Sequence, residues 1–448
     1  MALSAYFSAD GDVGRPPARP FDGTDELTGL ADRRSFTAAL DEAVAAYGAG
    51  LAPAPILVLL DLDRFKAVND AYGHQAGDAL LRSAAGRMRA GVRQGDMVGR
   101  LGGDEFAILL PPPAGLAEAT ALGERLIGLL SRPFLVEGSV AQVGASMGIA
   151  TLQEAQGASS RQLLRHADLA LYAAKRAGRG RAEWFEPKMQ EAAEDRAQLE
   201  TELRAALPLG EFVLFYQPLL SIAADRVLGF EALLRWQHPR RGMVSPAVFI
   251  GPIEEIGLMP AVGAWALRAG CRQAMEWPEP MSLSVNVSPT QLIAGDLPEL
   301  VSAVLRETGL PAGRLELEVT ESALVDAGNS DVVRQFTALR ALGVQLALDD
   351  FGTGYASLSQ LRKLPFSRMK LDRSFANDAS MMQAALGIGR ALGLGTTVEG
   401  IEEASQLAKV RSAGCDVAQG YLIGRPLDQA ATRAFISTMG ASEKDPIA

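Results

Sequence analysis

Residues 227–236 read VLGFEALLRW, an apolar run broken by Glu231 and Arg235. Alternation with a period of two puts Glu231, Leu233 and Arg235 on one face of a strand, so a carboxylate and a guanidinium can point into one site. The run is one of eight short apolar stretches beyond residue 211. The others are FVLFYQP (212–218), SLSVNVS (282–288), LELEVTE (315–321), QLALDDF (345–351), RMKLD (368–372), TTVEG (396–400) and VAQGY (417–421). Helical segments lie between them, and eight such units predict a (β/α)₈ barrel. Each run carries polar or acidic residues near its C-terminal end: Gln217, Glu231 with Arg235, Asn286, Glu318, Asp349 with Asp350, Lys370, Glu399 and Gln419. A single acid at a strand end is ordinarily a solvated side chain. Eight coordinated occurrences instead predict one face where catalytic groups converge.

The chemistry of that face follows from its residue types. Asn286, Glu318 and the adjacent pair Asp349 and Asp350 offer hard oxygen donors without cysteine or histidine, which suits Mg²⁺ or Mn²⁺ rather than zinc. The two aspartates cannot both point inward from a regular strand, but at its end they can serve two neighbouring cations. Two such ions, about 3.5–4 Å apart, activate water and stabilise an in-line displacement at phosphorus. Lys370 is suited to orient or deprotonate that water, and Arg235 to clamp a phosphate oxygen.

The first half of the chain has a different rhythm. ILVLLDLDRFKAVND (56–70) ends a buried strand at Asp61 and Asp63, with Lys66 and Asn69 following. A lone DxD of this kind is as often a strand-end turn as a metal site. RLGGDEFAILL (100–110) supplies the second signal. Gly102 and Gly103 suit a tight hairpin and let a phosphate or ribose approach the backbone, while Asp104 and Glu105 can share a cation with Asp61. With ASMGIATL (145–152), these runs predict an α/β domain over residues 21–187. Residues 188–207 are rich in strong helix formers, with Leu199, Leu203 and Ala206 on a narrow stripe, and predict a connecting helix. The barrel is expected over 208–440, with loose tails at 1–20 and 441–448.

Composition narrows the partners. A net charge of −10 disfavours broad nucleic-acid binding, so an anionic substrate needs metal ions. Cys271 and Cys415 are the only cysteines and belong to no close cluster, which argues against a disulfide framework or thiolate site. Three scattered histidines leave carboxylates, Asn, Lys and Arg to carry the chemistry. No stretch approaches the ~20 apolar residues of a membrane span. The first residues lack a signal-peptide pattern, so a cytoplasmic location is expected. The short tail has no room for a sensor domain, so a separate sensor protein is a possible partner. GIGRALGLG (387–395) has the look of a dinucleotide loop but lacks the third glycine at the required spacing, and close helix packing explains it better.

Taken in order, YQP, EALLRW, SVNVS, LELEVTES, LDDFGTGYASL, MKLDRSF, VEGIE and QGYL resemble the motif series of EAL phosphodiesterases over about residues 211–435. That resemblance implies hydrolysis of cyclic di-GMP to linear pGpG, with metal ions at a barrel mouth. Motif by motif, Glu231, Asn286, Glu318, Asp349 and Asp350 resemble metal ligands, Lys370 the water-activating lysine, and Glu399 a support for that water. Gln217, Arg235 and Gln419 resemble substrate contacts, and Glu321 the acid that holds the DDFGTGYASL loop. The departures are Val398 where Ala is usual and Pro252-Ile253 where Leu-Ala is usual. Neither removes a catalytic group.

DELTGLADRRSF, DLDRFKAVND, YGHQAGDALL, RLGGDEF, ASMGIA and ADLALYAAKRAGRGR likewise resemble, in order, the GGDEF diguanylate cyclases over about residues 22–185. This resemblance implies an adenylyl-cyclase-like α/β fold that joins two GTP into cyclic di-GMP. Asp61, Asp104 and Glu105 resemble the metal-binding and catalytic acids, with the Leu62 carbonyl as a further ligand. Asn69 and Asp78 resemble the guanine readers, and Lys66, Lys175 and Arg179 the triphosphate clamp. Asp32 and Gly180 stand where Asn is usual. Arg93 and Asp96, with five residues between Asp96 and Gly102, match an inhibitory RxxD product site, although such a pair alone is commonly a surface ion pair. The expected function is therefore bifunctional, with condensation by a homodimer of the first domain and hydrolysis by the second. Two alternatives stand beside it: a phosphodiesterase whose first domain is a GTP-binding regulator, and a silent cyclic di-GMP receptor. Intact metal ligands in both domains argue against the last.

Overall fold

The computed structural model describes residues 23–111, 115–136, 138–153, 157–326, 329–352 and 361–442. Two compact units divide at Ala197/Gln198. In the first, eight apolar or acidic residues form β1 (Ile56–Asp63), and the alternation of its side chains explains the layering. Ile56, Val58, Leu60 and Leu62 face one core, and Leu57 and Leu59 face another. The sheet orders β2 (Met97–Gly102), β3 (Glu105–Leu110), β1, β6 (Gly144–Thr151) and β7 (Ala182–Trp184), antiparallel except for the last pair. Between β3 and β6 lies the small hairpin β4 (Phe134–Val136) and β5 (Ser139–Ala141). Apolar faces of α1 (Arg33–Gly48) and α5 (Ser160–Arg176) cover one side of the sheet. The other side is covered by α2 (Phe65–Tyr72), α3 (His74–Gly91) and α4 (Leu116–Leu130).

The helix expected between the domains is α6 (Pro187–Ala206). In the second unit its residues Leu199, Leu203 and Ala206 pack with Phe212, Trp236 and Phe249.

The eight apolar runs become eight barrel strands: β8 (Phe212–Ser221), β9 (Arg226–His238), β11 (Ser282–Val287), β12 (Leu315–Thr320), β13 (Gln345–Phe351), β14 (Arg368–Leu371), β15 (Gly395–Val398) and β16 (Val417–Ala418). A short β10 (Gly242–Val244) extends the edge of β9, and β8 closes the ring between β9 and β16. One expectation needs correction. β8 runs antiparallel to both neighbours and joins β9 as a hairpin rather than through a helix. Gln217 therefore lies mid-strand, directly opposite Glu231, and neither marks the C-terminal end of its strand. Leu317, Val319, Leu346, Leu348, Met369 and Leu371 belong to the core between strands and helices. GIGRALGLG packs as anticipated: a Cβ on Gly389 would lie 2.8 Å from Thr396 and 3.2 Å from Met369. Among the described residues no helix is long and apolar enough to cross a membrane.

Candidate active sites

Parallel pairing sets the barrel site by register. Asn286 stands beside Glu318 on the next strand, and Ser284, two residues earlier on β11, stands beside Glu231. Lys370 enters from β14 and is 1 % exposed. Its Nζ lies 2.6 Å from Glu318 Oε2, 2.6 Å from Glu399 Oε1, 3.3 Å from Asp349 Oδ1 and 3.6 Å from Glu231 Oε2. Asn286 Nδ2 donates to Glu231 Oε1 at 2.7 Å, and Gln419 Nε2 donates to Glu231 Oε2 at 2.6 Å. Gln419 Nε2 also lies 3.2 Å from Gln217 Oε1, so the amides and the acid form one network.

The adjacent aspartates converge by a device that the sequence leaves open. The pairing of β13 with β14 shifts register between Leu348 and Phe351, and Asp350 takes φ 53°. A bulge with a left-handed residue is costly and re-aims a side chain, as at many functional sites. Carboxylate oxygens of Asp349, Asp350 and Glu399 thereby come within 4.8 Å of one another. Glu321 Oε2 accepts from Gly352 N at 3.0 Å and fixes the start of the following loop. Most of that loop, residues 353–360, lies outside the described residues.

Electrostatics follow from crowding four carboxylates around one ammonium in a buried place, with Asp350 beside them. Burial opposes the Lys370 charge, but Glu231, Glu318, Glu399 and Asp349 outweigh it and hold the ammonium well above the usual lysine value. Burial and then Glu231 push Glu318 well above the carboxylate range. Burial likewise lifts Glu399 to about 7, against the pull of Lys370. Asp350 is raised by burial and by Asp349. Glu231 goes the other way: burial would raise it, but Lys370, Gln419 and Asn286 together lower it. This excess of negative charge fits divalent cations. Glu318 Oε1 is buried without a hydrogen-bond partner, Asp349 Oδ1 has only its ion pair with Lys370, and the candidate ligands are all hard oxygens. A cavity of about 250 Å³ opens beside the cluster, lined by Gln217, Asp372, Arg373, Glu399, Gln419 and Tyr421 among others. Asp372, Arg373 and Tyr421 were not singled out from sequence. Arg235 is half-buried, with Nη1 donating to Leu234 O and the guanidinium 5.8 Å from the Phe215 ring.

In the first unit, β1 and β3 pair Asp61 opposite Glu105, and Leu62 N donates to Asp104 O at 3.4 Å. Gly102 and Gly103, at φ 146° and 53°, turn the hairpin. Lys175 lies in the last turn of α5, and its Nζ is 2.6 Å from Asp61 Oδ2. Burial raises Asp61, Lys175 opposes this, and Asp104 and Asp63 add to it. Asp61, Asp104 and Glu105 are thus neighbours, but among the described residues only the barrel trio draws three metal-competent groups together. Asn69 on α2 packs over Gly77 of α3, its Oδ1 buried without a partner, and Asp78 is exposed on the next residue. Lys66 is exposed on α2. Arg93 Nε donates to Asp96 Oδ1 at 3.0 Å, and its Nη1 also pairs with Glu118. The two free cysteines are buried, and burial raises both thiols.

A family model described as the EAL domain matches residues 200–426, and one described as the diguanylate cyclase GGDEF domain matches residues 23–181. A Pseudomonas aeruginosa protein named bifunctional diguanylate cyclase/cyclic di-GMP phosphodiesterase MucR is 40 % identical over 383 residues, covering 83 % of this chain and 55 % of that protein. From the same organism, cyclic di-GMP phosphodiesterase NbdA is 38 % identical over 429 residues, 92 % of this chain and 54 % of that protein. The chain spans about half the length of these relatives. A solved structure described as the PaMucR phosphodiesterase in complex with c-di-GMP is similar at 36 % identity and TM-score 0.51, covering 52 % of this chain and 99 % of that one.

Proposed function

This chain belongs to the tandem GGDEF–EAL family, and from that membership we propose a bifunctional enzyme that makes cyclic di-GMP from two GTP and hydrolyses it to pGpG. The observation that carries the hydrolytic half is Lys370, buried among Glu231, Glu318, Asp349 and Glu399 beside an open cavity. Glu231, Asn286, Glu318, Asp349 and Asp350 would hold Mg²⁺ or Mn²⁺, which would activate water and neutralise developing phosphoryl charge. Glu399, poised at about 7, is matched to hold and release a proton near neutrality, while Lys370 stays charged and orients the water. Arg235 binds a phosphate oxygen, and Gln217 and Gln419 orient the substrate while restraining Glu231.

In the first domain, Asp61, Asp104, Glu105 and the Leu62 carbonyl would hold the cation that accompanies GTP. Asn69 and Asp78 read guanine, and Lys66, Lys175 and Arg179 hold the phosphates. Two such domains, in a homodimer, would face each other to close the ring. A second reading, a first domain that binds GTP to regulate the barrel, has one observation in its favour: the similar protein NbdA is named only as a cyclic di-GMP phosphodiesterase. Purified protein incubated with Mg²⁺ and either nucleotide, with products resolved by chromatography, separates the readings. pGpG from cyclic di-GMP, lost in Glu231→Ala, supports the barrel assignment. Pyrophosphate release from GTP supports the cyclase, whereas GTP binding without release supports the regulatory reading.

A further inference from the structure

Asp63 ends β1 two residues beyond Asp61, and alternation sets both acids on the strand face that α5 covers. Asp61 meets Lys175 in the last turn of α5. Asp63 meets the turn beyond it. Its carboxylate is 6 % exposed and accepts from Ser146 Oγ, at 2.9 Å to Oδ1 and 3.0 Å to Oδ2. Gly180 N lies 3.2 Å from Asp63 Oδ2 and 3.2 Å from the buried Ser146 Oγ. Arg179 and Gly180 both take left-handed backbone, at φ 61° and 63°. Arginine seldom adopts that conformation unless its surroundings hold it there. The Arg179 Nε stands 3.9 Å from Asp63 Oδ1, and its side chain is 58 % exposed.

An ionised carboxylate is an expensive way to satisfy one hydroxyl and one amide in a buried place. What it adds over an amide is a second acceptor oxygen and charge, and the cation paired with it is Arg179.

We propose that Asp63 is a positioning residue for the nucleotide's triphosphate: it clamps the Arg179–Gly180 turn through Gly180 N and steers the Arg179 guanidinium, whose exposed face takes the phosphates remote from the base. Ser146 holds the carboxylate in place. The proposal rests on the reading of the first domain as a GTP site and deepens it. Because the remote phosphates are absent from GMP, the clamp governs selectivity for tri- over monophosphate.

Binding of GTP and of GMP to the full chain, measured by titration calorimetry in Mg²⁺, tests this. Asp63→Asn keeps size and one acceptor oxygen for Gly180 N, turns the other oxygen into a donor that Ser146 Oγ can accept, and removes the charge. GTP affinity should fall about tenfold, the size expected from one weakened contact to a charged group, and GMP affinity should change less than about twofold. In an Arg179→Ala background, Asp63→Asn should add little, because the two act as one unit. Ser146→Ala should follow Asp63→Asn in direction with a smaller effect. Unchanged hydrolysis of cyclic di-GMP by each variant controls for folding elsewhere in the chain. Equal losses for GTP and GMP, additive effects of Asp63→Asn and Arg179→Ala, or an unchanged GTP affinity each overturn the proposal. A wild-type chain that binds neither nucleotide sinks the underlying reading instead.

Discussion

Replacing Lys370 with methionine removes the one cation in a buried nest of acids while nearly preserving volume. Four carboxylate oxygens lie within 4.0 Å of Nζ, and removing one partner of a buried ion pair costs about 3–5 kcal/mol. In a domain of this size each kcal/mol moves the unfolding midpoint by about 2–4 °C. In EDTA, Lys370→Met should therefore unfold roughly 6–20 °C below wild type. Saturating Mn²⁺ should remove at least half of that gap, since a bound cation supplies the missing positive charge and no longer competes with the ammonium. Tryptophan fluorescence is a suitable probe because Trp236, Trp265 and Trp277, three of the four tryptophans, lie in the barrel unit. Hydrolysis of cyclic di-GMP in Mn²⁺ should meanwhile drop by about 10²–10⁴, the usual contribution of a placed proton-transfer group. A variant as stable as wild type in EDTA, or a gap that Mn²⁺ leaves intact, would refute the picture of a charge-compensated cation site.

The metal-free barrel should also lose stability as pH rises from 5 to 8. A Glu399 value raised from 4.5 to about 7 means that the folded state holds its proton longer, so the contribution is full below the unfolded value and vanishes through about pH 7. That rise corresponds to about 3 kcal/mol, Glu318 and Asp350 act in the same direction, and urea midpoints across pH with and without Mg²⁺ should show a slope only in its absence. Glu321→Ala should lower hydrolysis about 10- to 100-fold by freeing Gly352 N, at a stability cost of about 1–3 kcal/mol, with Glu321→Gln retaining most activity; equal rates in the two variants would contradict this. For feedback, cyclic di-GMP accumulation in Lys370→Ala should plateau early, and Arg93→Ala should raise that plateau without altering the initial rate. An identical plateau would leave Arg93 as only the ion-pair partner of Asp96 and Glu118.

Much of the barrel was legible because each strand must present apolar residues outward to helices and can place acids only inward. Eight runs carried that pattern, and their inward acids are the ones now found around Lys370. The direction of β8 was missed although a signal existed: eight residues separate FVLFYQP from VLGFEALLRW, too few for a parallel crossover of a dozen or more. The bulge at Asp350 was hidden for a different reason. Two adjacent aspartates announce a conflict with strand alternation, but only the pairing of β13 with β14 resolves how it is met. In the first domain, DLD was read for Asp61, while the alternation that puts Asp63 on the same face also implied a partner beside α5. Ser146 and Gly180 lie 83 and 117 residues from Asp63, and no local pattern announces such contacts.

The antiparallel β8 also sets the order in which the barrel can mature. β8 is the first barrel strand in the chain and pairs with β16, the last, and the amides of Gln217 and Gln419 meet across that seam 202 residues apart in sequence. Contacts of such long separation are late events in folding, because loop closure must precede their reward. Glu231 therefore lacks one of its two amide restraints until the ring has closed. On the proposed function, a chain truncated before β16 should therefore be inert toward cyclic di-GMP even with its other barrel strands present.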